Sequence, residues 1–157
     1  MYFIKGAINM NIIKTVSDNK NYKFHLFENN LLYLAYFNEA EIDLEKIIEI
    51  NRKGLELVNY NPFFSIVNMR NVFGNMDNDA KKFIANNNEL NNLKIIEFLL
   101  INSLPMRILT KGYLSFNKPK TETIIIKSIE QLTEILEARF PHLEGTKDLE
   151  NYLKTIA

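Results

Sequence analysis

Two aspartates, a glycine and several asparagines stand close together in RNVFGNMDNDAKKF, residues 70–83. Carboxylates and amides at this density can ligate a cation, cap a helix or hold a partner's backbone. The apolar run FFSIVNM leads into the stretch and a helical pattern follows it. It therefore reads as a strand-to-helix corner, a place where α/β proteins often hold phosphates and catalytic groups. Asn75, Asp77, Asn78 and Asp79 form the first candidate site, a partner-docking corner. Asp77 and Asp79 have the early spacing of a calcium loop. Lys82 stands at the glycine that such a loop requires, and Asn88 at its final glutamate, which excludes that chemistry. Gly74 without a following Gly-Lys-Ser/Thr makes no phosphate cradle. Helix capping by Asn75, Asp77 or Asp79 accounts for the same residues.

Ser103 and Arg107 form the second candidate, an anion or partner site. If Ser103 opens a helix, Arg107 lies about one turn in, beside free backbone N–H groups. A serine cap with a surface arginine is the plainer reading. Glu97 interrupts IIEFLLI, and a carboxylate in a buried strand is a candidate acid or base. No second carboxylate or histidine stands in a spacing that completes a dyad. His25 alternates with Phe24 and Leu26, which places it on the opposite face of a strand. With no nucleophile–base pair, the expectation is a non-enzymatic protein without cofactor or metal.

Bulk properties bound the remaining classes. The 157 residues fit one domain with a substantial core. Nineteen basic residues balance nineteen acidic ones, so the charge excess that drives nucleic-acid binding is missing. Without cysteine there are no disulfides and no thiolate metal sites. The N-terminus, MYFIKGAINMNII, lacks the pattern of a signal peptide, and Met10 is an alternative start to Met1. No apolar run approaches the length of a transmembrane span. A cytoplasmic location is the simplest expectation.

FHLFENNLLYLAYF, residues 24–37, reads as two strands around a tight turn at Asn29-Asn30, since asparagine tolerates positive φ. In IDLEKIIEINRKGLELV, Asp43 caps a helix with Leu44, Ile47, Ile48, Leu55 and Val58 on one face. Phe63–Met69 is a strand, followed by a helix from about Asp77 to Asn86 that NNNELNN ends. Ile95–Ile101 is a strand. The helix LPMRILTKGYLSF then carries a stripe of Met106, Leu109, Tyr113 and Phe116. TETIIIK is the last strand. A helix with a Ser128-x-x-Gln131 capping box follows it. Thr146 opens a final helix with Leu149, Tyr152, Leu153 and Ile156 on one face. Strand–helix alternation predicts an α/β fold with a mostly parallel or mixed sheet.

A leading hairpin followed by this alternation resembles the STAS domains of anti-sigma-factor antagonists, in their SpoIIAA-like branch. The resemblance covers residues 22–140. It rests on VNMRNVFGNMDND, LLINSLPMRIL, the FNKP break and a final strand leading to a Ser-capped helix. It implies a mixed sheet of about four to five strands flanked by about four helices, with an N-terminal hairpin. Residues 1–21 would be an extension, including a strand, and residues 141–157 an extra C-terminal helix. The antagonists carry a phosphorylatable serine at the corner. Here Asn78 and Asp79 occupy the serine positions and Ala80 the glycine position, so the phospho-switch is lost. The resemblance thus implies a regulatory module acting on an unknown protein partner. The apolar stripe of the last helix must be buried on its own domain or on a second copy, which makes a homodimer a further expectation. The alternative is a Sec-14-type apolar cleft for a small hydrophobic or lipid ligand.

Overall fold

The computed structural model describes residues 10–70 and 76–156. A six-stranded sheet runs in sequence order. Its strands are β1 (Ile12–Ser17), β2 (Tyr22–Phe27), β3 (Leu31–Tyr36), β4 (Phe63–Asn68), β5 (Lys94–Leu100) and β6 (Thr123–Ile126). The first three are antiparallel, and β3 to β6 are parallel. Asparagines make both hairpin turns. Asn19 sits at φ 60°, and Asn29 and Asn30 at 62° and 55°, in the left-handed region that asparagine tolerates. The second connection, Glu28–Asn30, is a three-residue 3₁₀ turn and not the two-residue turn expected.

The parallel strands are joined by α1 (Leu44–Leu57), by α2 (Asn78–Asn86) with α3 (Asn88–Leu93), and by α4 (Leu104–Phe116). After β6 come α5 (Ile129–Arg139) and α6 (Thr146–Ile156). Strand alternation divides the core in two. Phe24, Leu32, Leu34, Phe63 and Leu99 face α1–α4, and Leu31, Tyr33, Phe64, Ile66, Ile96 and Phe98 face α5 and α6. The α/β expectation therefore holds at the level of class, and the layout is larger than expected. Among the described residues there are six strands in place of four to five, because residues 12–17 pair with β2 as an edge strand. Among the described residues there are six α-helices. One of them, α3, forms inside NNNELNN, which the sequence reading took for a helix end. Asn87 caps it by accepting the Leu90 N–H.

The predicted caps recur in the structure. The Asp43 carboxylate accepts the Lys46 N–H at 2.7 Å, and Ser128 accepts that of Gln131 at 3.2 Å. The Gln131 side chain returns to the N–H of Lys127, one residue earlier than a strict capping box. Two predicted stripes need correction. On α1, Leu44 and Ile48 are exposed, whereas Ile47, Ile50, Asn51, Gly54 and Leu55 are buried. Gly54 sits on the buried face, where a Cβ would lie 3.4 Å from the Phe24 ring, in van der Waals contact. On α4, Met106 and Tyr113 are half-buried, while Leu109 and Phe116 are exposed.

The stripe of α6 is covered within the chain. Leu149 and Leu153 are fully buried, and Tyr152 meets Phe27 and His25 edge-on. That observation no longer requires a second copy. Polar bonds tie α6 to α5: Thr146 donates to Glu137, Thr133 donates to Glu150, and Lys154 bridges Glu130 and Glu150. The Lys154 and Thr133 hydrogen bonds hold the Glu150 carboxyl at about 2, against an ordinary 4.5. Between those values the folded chain binds fewer protons than the unfolded chain. The stabilisation is complete above the ordinary value and is lost as pH falls through the folded one. Thermal unfolding followed from pH 6 to about 2 should show a steep acid loss that Glu150→Gln flattens. An unchanged slope in the variant would place the acid sensitivity elsewhere.

Candidate functional site

One transverse row of the sheet is unusually polar. Ser65 on β4 lies in register with Glu97 on β5, and Glu97 with Thr123 on β6. Strand alternation turns this row toward α1–α4, where apolar residues dominate. Ser65 donates to the Glu97 carboxylate at 2.9 Å, and Lys94 forms an ion pair with the same oxygen. The Lys94 side chain is only 4% exposed and that of Glu97 12%. A charge pair this deep persists because each member offsets the other's lost hydration. Burial, and then the nearby Glu97 charge, push the Tyr36 phenol above its ordinary value.

Two cavities of about 70 Å³ each flank this row and share Met69, Ile84, Glu97 and Leu99 as walls. The first reaches under α1 to Asn51, and the second under α4 to Thr110, Tyr113 and Thr123. Asn51 is buried, and its amide nitrogen has no hydrogen-bond partner. Such an orphan costs about 1–3 kcal/mol unless an occupant satisfies it. The sequence reading singled out Glu97 but neither Asn51 nor Lys94. A signal was present: Ser65 and Glu97 each break an otherwise apolar strand core, and parallel register then makes them neighbours.

Above the second cavity, α2 and α4 form a surface groove of about 440 Å³, lined by Asn78, Lys81, Lys82, Met106, Leu109 and Tyr113. The Tyr113 hydroxyl donates to the Lys81 carbonyl and fixes the two helices together. On the outer side of α4, Leu104, Ile108 and Leu109 are exposed, and Phe116 is 91% exposed. Leu104, Ile108 and Phe116 fall on one i, i+4 ridge that also contains Gly112. Open space surrounds Gly112, so the ridge is notched at its third position.

The predicted docking corner is only partly described. Asn75 lies outside the described residues. Asp77, Asn78 and Asp79 are exposed at the start of α2, where Asp77 is the N-cap without a side-chain cap bond. The backbone N–H of Asp77 donates to Ile42, which anchors the corner beside the start of α1. Asn78 also lines the α2–α4 groove, so one corner residue belongs to a larger surface. Ser103 is the N-cap of α4, again without a side-chain cap bond. Arg107 turns back to the carbonyls of Asn102, at 2.9 Å, and Ile101. Its guanidinium thus clamps the end of β5. No described helix is long and apolar enough to cross a membrane.

Removing one member of the buried pair strands the other. Glu97→Leu should destabilise the chain by about 3–5 kcal/mol in urea unfolding. Adding Lys94→Met should recover most of that loss. A double variant as unstable as the single one would mean that the pair is not the cause.

No curated protein and no solved structure matches the chain. Residues 25–138 match the family described as Domain of unknown function (DUF7793). The matched segment runs from within β2 to near the end of α5, and so contains the polar row, the α2–α4 groove, the second cavity and the walls of the first apart from Phe24. With well over half of its length matched, the chain belongs to the DUF7793 family.

Proposed function

We propose that the chain is a non-catalytic, cytoplasmic protein-interaction module, in the manner of STAS-like regulators, and that α4 and the α2–α4 groove dock an acidic amphipathic segment of a partner protein. The carrying observation is the exposed apolar ridge of α4, an element whose other side is committed to the core. Clusters of exposed apolar residues on a soluble surface mark interaction sites more often than isolated ones do.

Charge supports an acidic occupant. Residues 103–120 carry Arg107, Lys111, Lys118 and Lys120 and no acidic residue, in a chain whose charges balance overall. Lys81 and Lys82 border the groove from α2. A second copy of the chain would bring the same basic residues against one another, which disfavours a symmetric α4–α4 pairing. The concave groove suits an inserted helix or strand better than a flat bilayer surface. Compared with the expected corner, this surface keeps Asn78 and moves the weight of the interaction to α4.

The alternative, a cleft for a lipid-sized ligand, finds less support. Each cavity under the helices, at about 70 Å³, offers roughly five to seven water-sized positions, counting 10–15 Å³ for each. That is room for a few atoms and not for an acyl chain.

A photo-crosslinking amino acid at position 108, introduced into the chain in its native host, tests the docking surface. The expected product is one discrete adduct with a different protein, reduced about tenfold or more when Lys111→Glu and Lys118→Glu are added. Adducts only with a second copy of the chain, or only with lipid, would overturn the proposal.

A further inference from the structure

On the opposite face of the sheet, a second constellation lies beyond the carboxyl ends of β3 and β4. Ligands of α/β proteins commonly sit at such strand ends. Lys23, Ala35 and Asn68 form one row across β2, β3 and β4. The small Ala35 between two long side chains leaves a hollow over the sheet. Together with Tyr33, Arg70 and Ile156 they border a pocket of about 390 Å³, within the range of small-molecule sites.

The polar groups of this pocket point one way electrically. Arg70 Nε donates to Asn68 Oδ1 at 3.1 Å, and Asn68 Nδ2 donates to the Tyr33 hydroxyl oxygen at 3.1 Å. Both ends of the Asn68 amide are therefore used, and the chain of bonds ends on the Tyr33 O–H. Tyr33 is fully buried, so its hydroxyl braces the Asn68 amide from below. Among the described residues the Arg70 terminal nitrogens and the Lys23 ammonium form no ion pair. No acidic residue lines the pocket. His25 adjoins it from the same face as Tyr33, and its Nδ1 is already bonded to Thr15 at 2.9 Å. Two cationic side chains, Lys23 and Arg70, thus border the pocket with no acidic partner among the described residues, beside apolar walls from Ala35, Phe37 and Ile156.

We infer that this pocket binds a small organic anion, a carboxylate or phosphate monoester carried on a compact apolar body. The anion takes the hydrogen bonds of Arg70 and Lys23, and the body packs over Ala35. Arginine suits this role because its fork of N–H donors matches both oxyanions, and one edge is already fixed by Asn68. The site is on the face away from α4, so it stands or falls independently of docking there.

Titration of the full chain with benzoate and with phenyl phosphate, followed through the Ala35 methyl and His25 ring signals, tests the site. Benzyl alcohol serves as the neutral counterpart. Saturable shifts are expected with at least one anion, and about tenfold weaker binding of benzyl alcohol, as the loss of one charge-assisted bond implies. Lys23→Met and Arg70→Met should each weaken the anion by a similar factor. Lys23 lies on a strand rim and its substitution leaves the Asn68–Tyr33 bond intact, so it decides the matter if Arg70→Met unfolds. Equal binding of benzyl alcohol, no saturable shift with either anion, or full affinity in Lys23→Met would each overturn the inference.

Discussion

The parallel half of the sheet advances in one direction only, from β3 through β4 and β5 to β6. Crossovers between parallel strands are right-handed almost without exception. A one-way order with one handedness stacks every crossover helix on the same side, and α1–α4 do pack together there. The other side of the same strands is equally apolar and has no crossover to cover it. That side must be closed by chain that follows β6, which is the work of α5 and α6. The layout of the molecule follows from this asymmetry.

It also explains where the unusual features lie. The crowded side holds four helices over six strands, and they meet imperfectly around the polar row of Ser65, Glu97 and Thr123. The cavities are left where α1, α2 and α4 diverge. As the last crossover, α4 has no helix beyond it among the described residues, and its outer ridge from Leu104 to Phe116 is exposed there. On the other side, α6 ends at Ile156 over β2 and β3 and leaves the carboxyl ends of β3 and β4 accessible. An exposed apolar ridge on one side and a cationic pocket on the other are both consequences of where helices run out.

Much of this was legible in the sequence and some was not, for physical reasons. Asp43 and Ser128 announced their helices because a cap is a local hydrogen bond, decided within three or four residues. The apolar strands from Phe63 and Lys94 were legible because burial on both faces leaves little polar character. The stripe on α1 was misjudged because Leu44 and Ile48 fit the helical period as well as Ile50 does. Packing against Phe24 and Leu32 on the sheet, distant in sequence, decides between them. The helix in NNNELNN was hidden because asparagine is a weak helix former, overridden there by tertiary contacts of Leu90 and Asn91. Neither the Asn51 orphan nor the Lys23–Asn68 row could be read without strand register.

The account depends most on α6 being part of the core, although it lies outside the segment that matches the family. Leu149 and Leu153 are fully buried against the sheet, and each such leucine contributes about 1.5–3 kcal/mol. Calorimetry on the chain ended at residue 140, with dye binding to exposed apolar surface, puts this to the test. The account predicts loss of the cooperative transition and strong dye binding, because Phe27 and its apolar neighbours on that face lose the cover of α6. A shortened chain that melts cooperatively at the full-length temperature and binds no dye would contradict it.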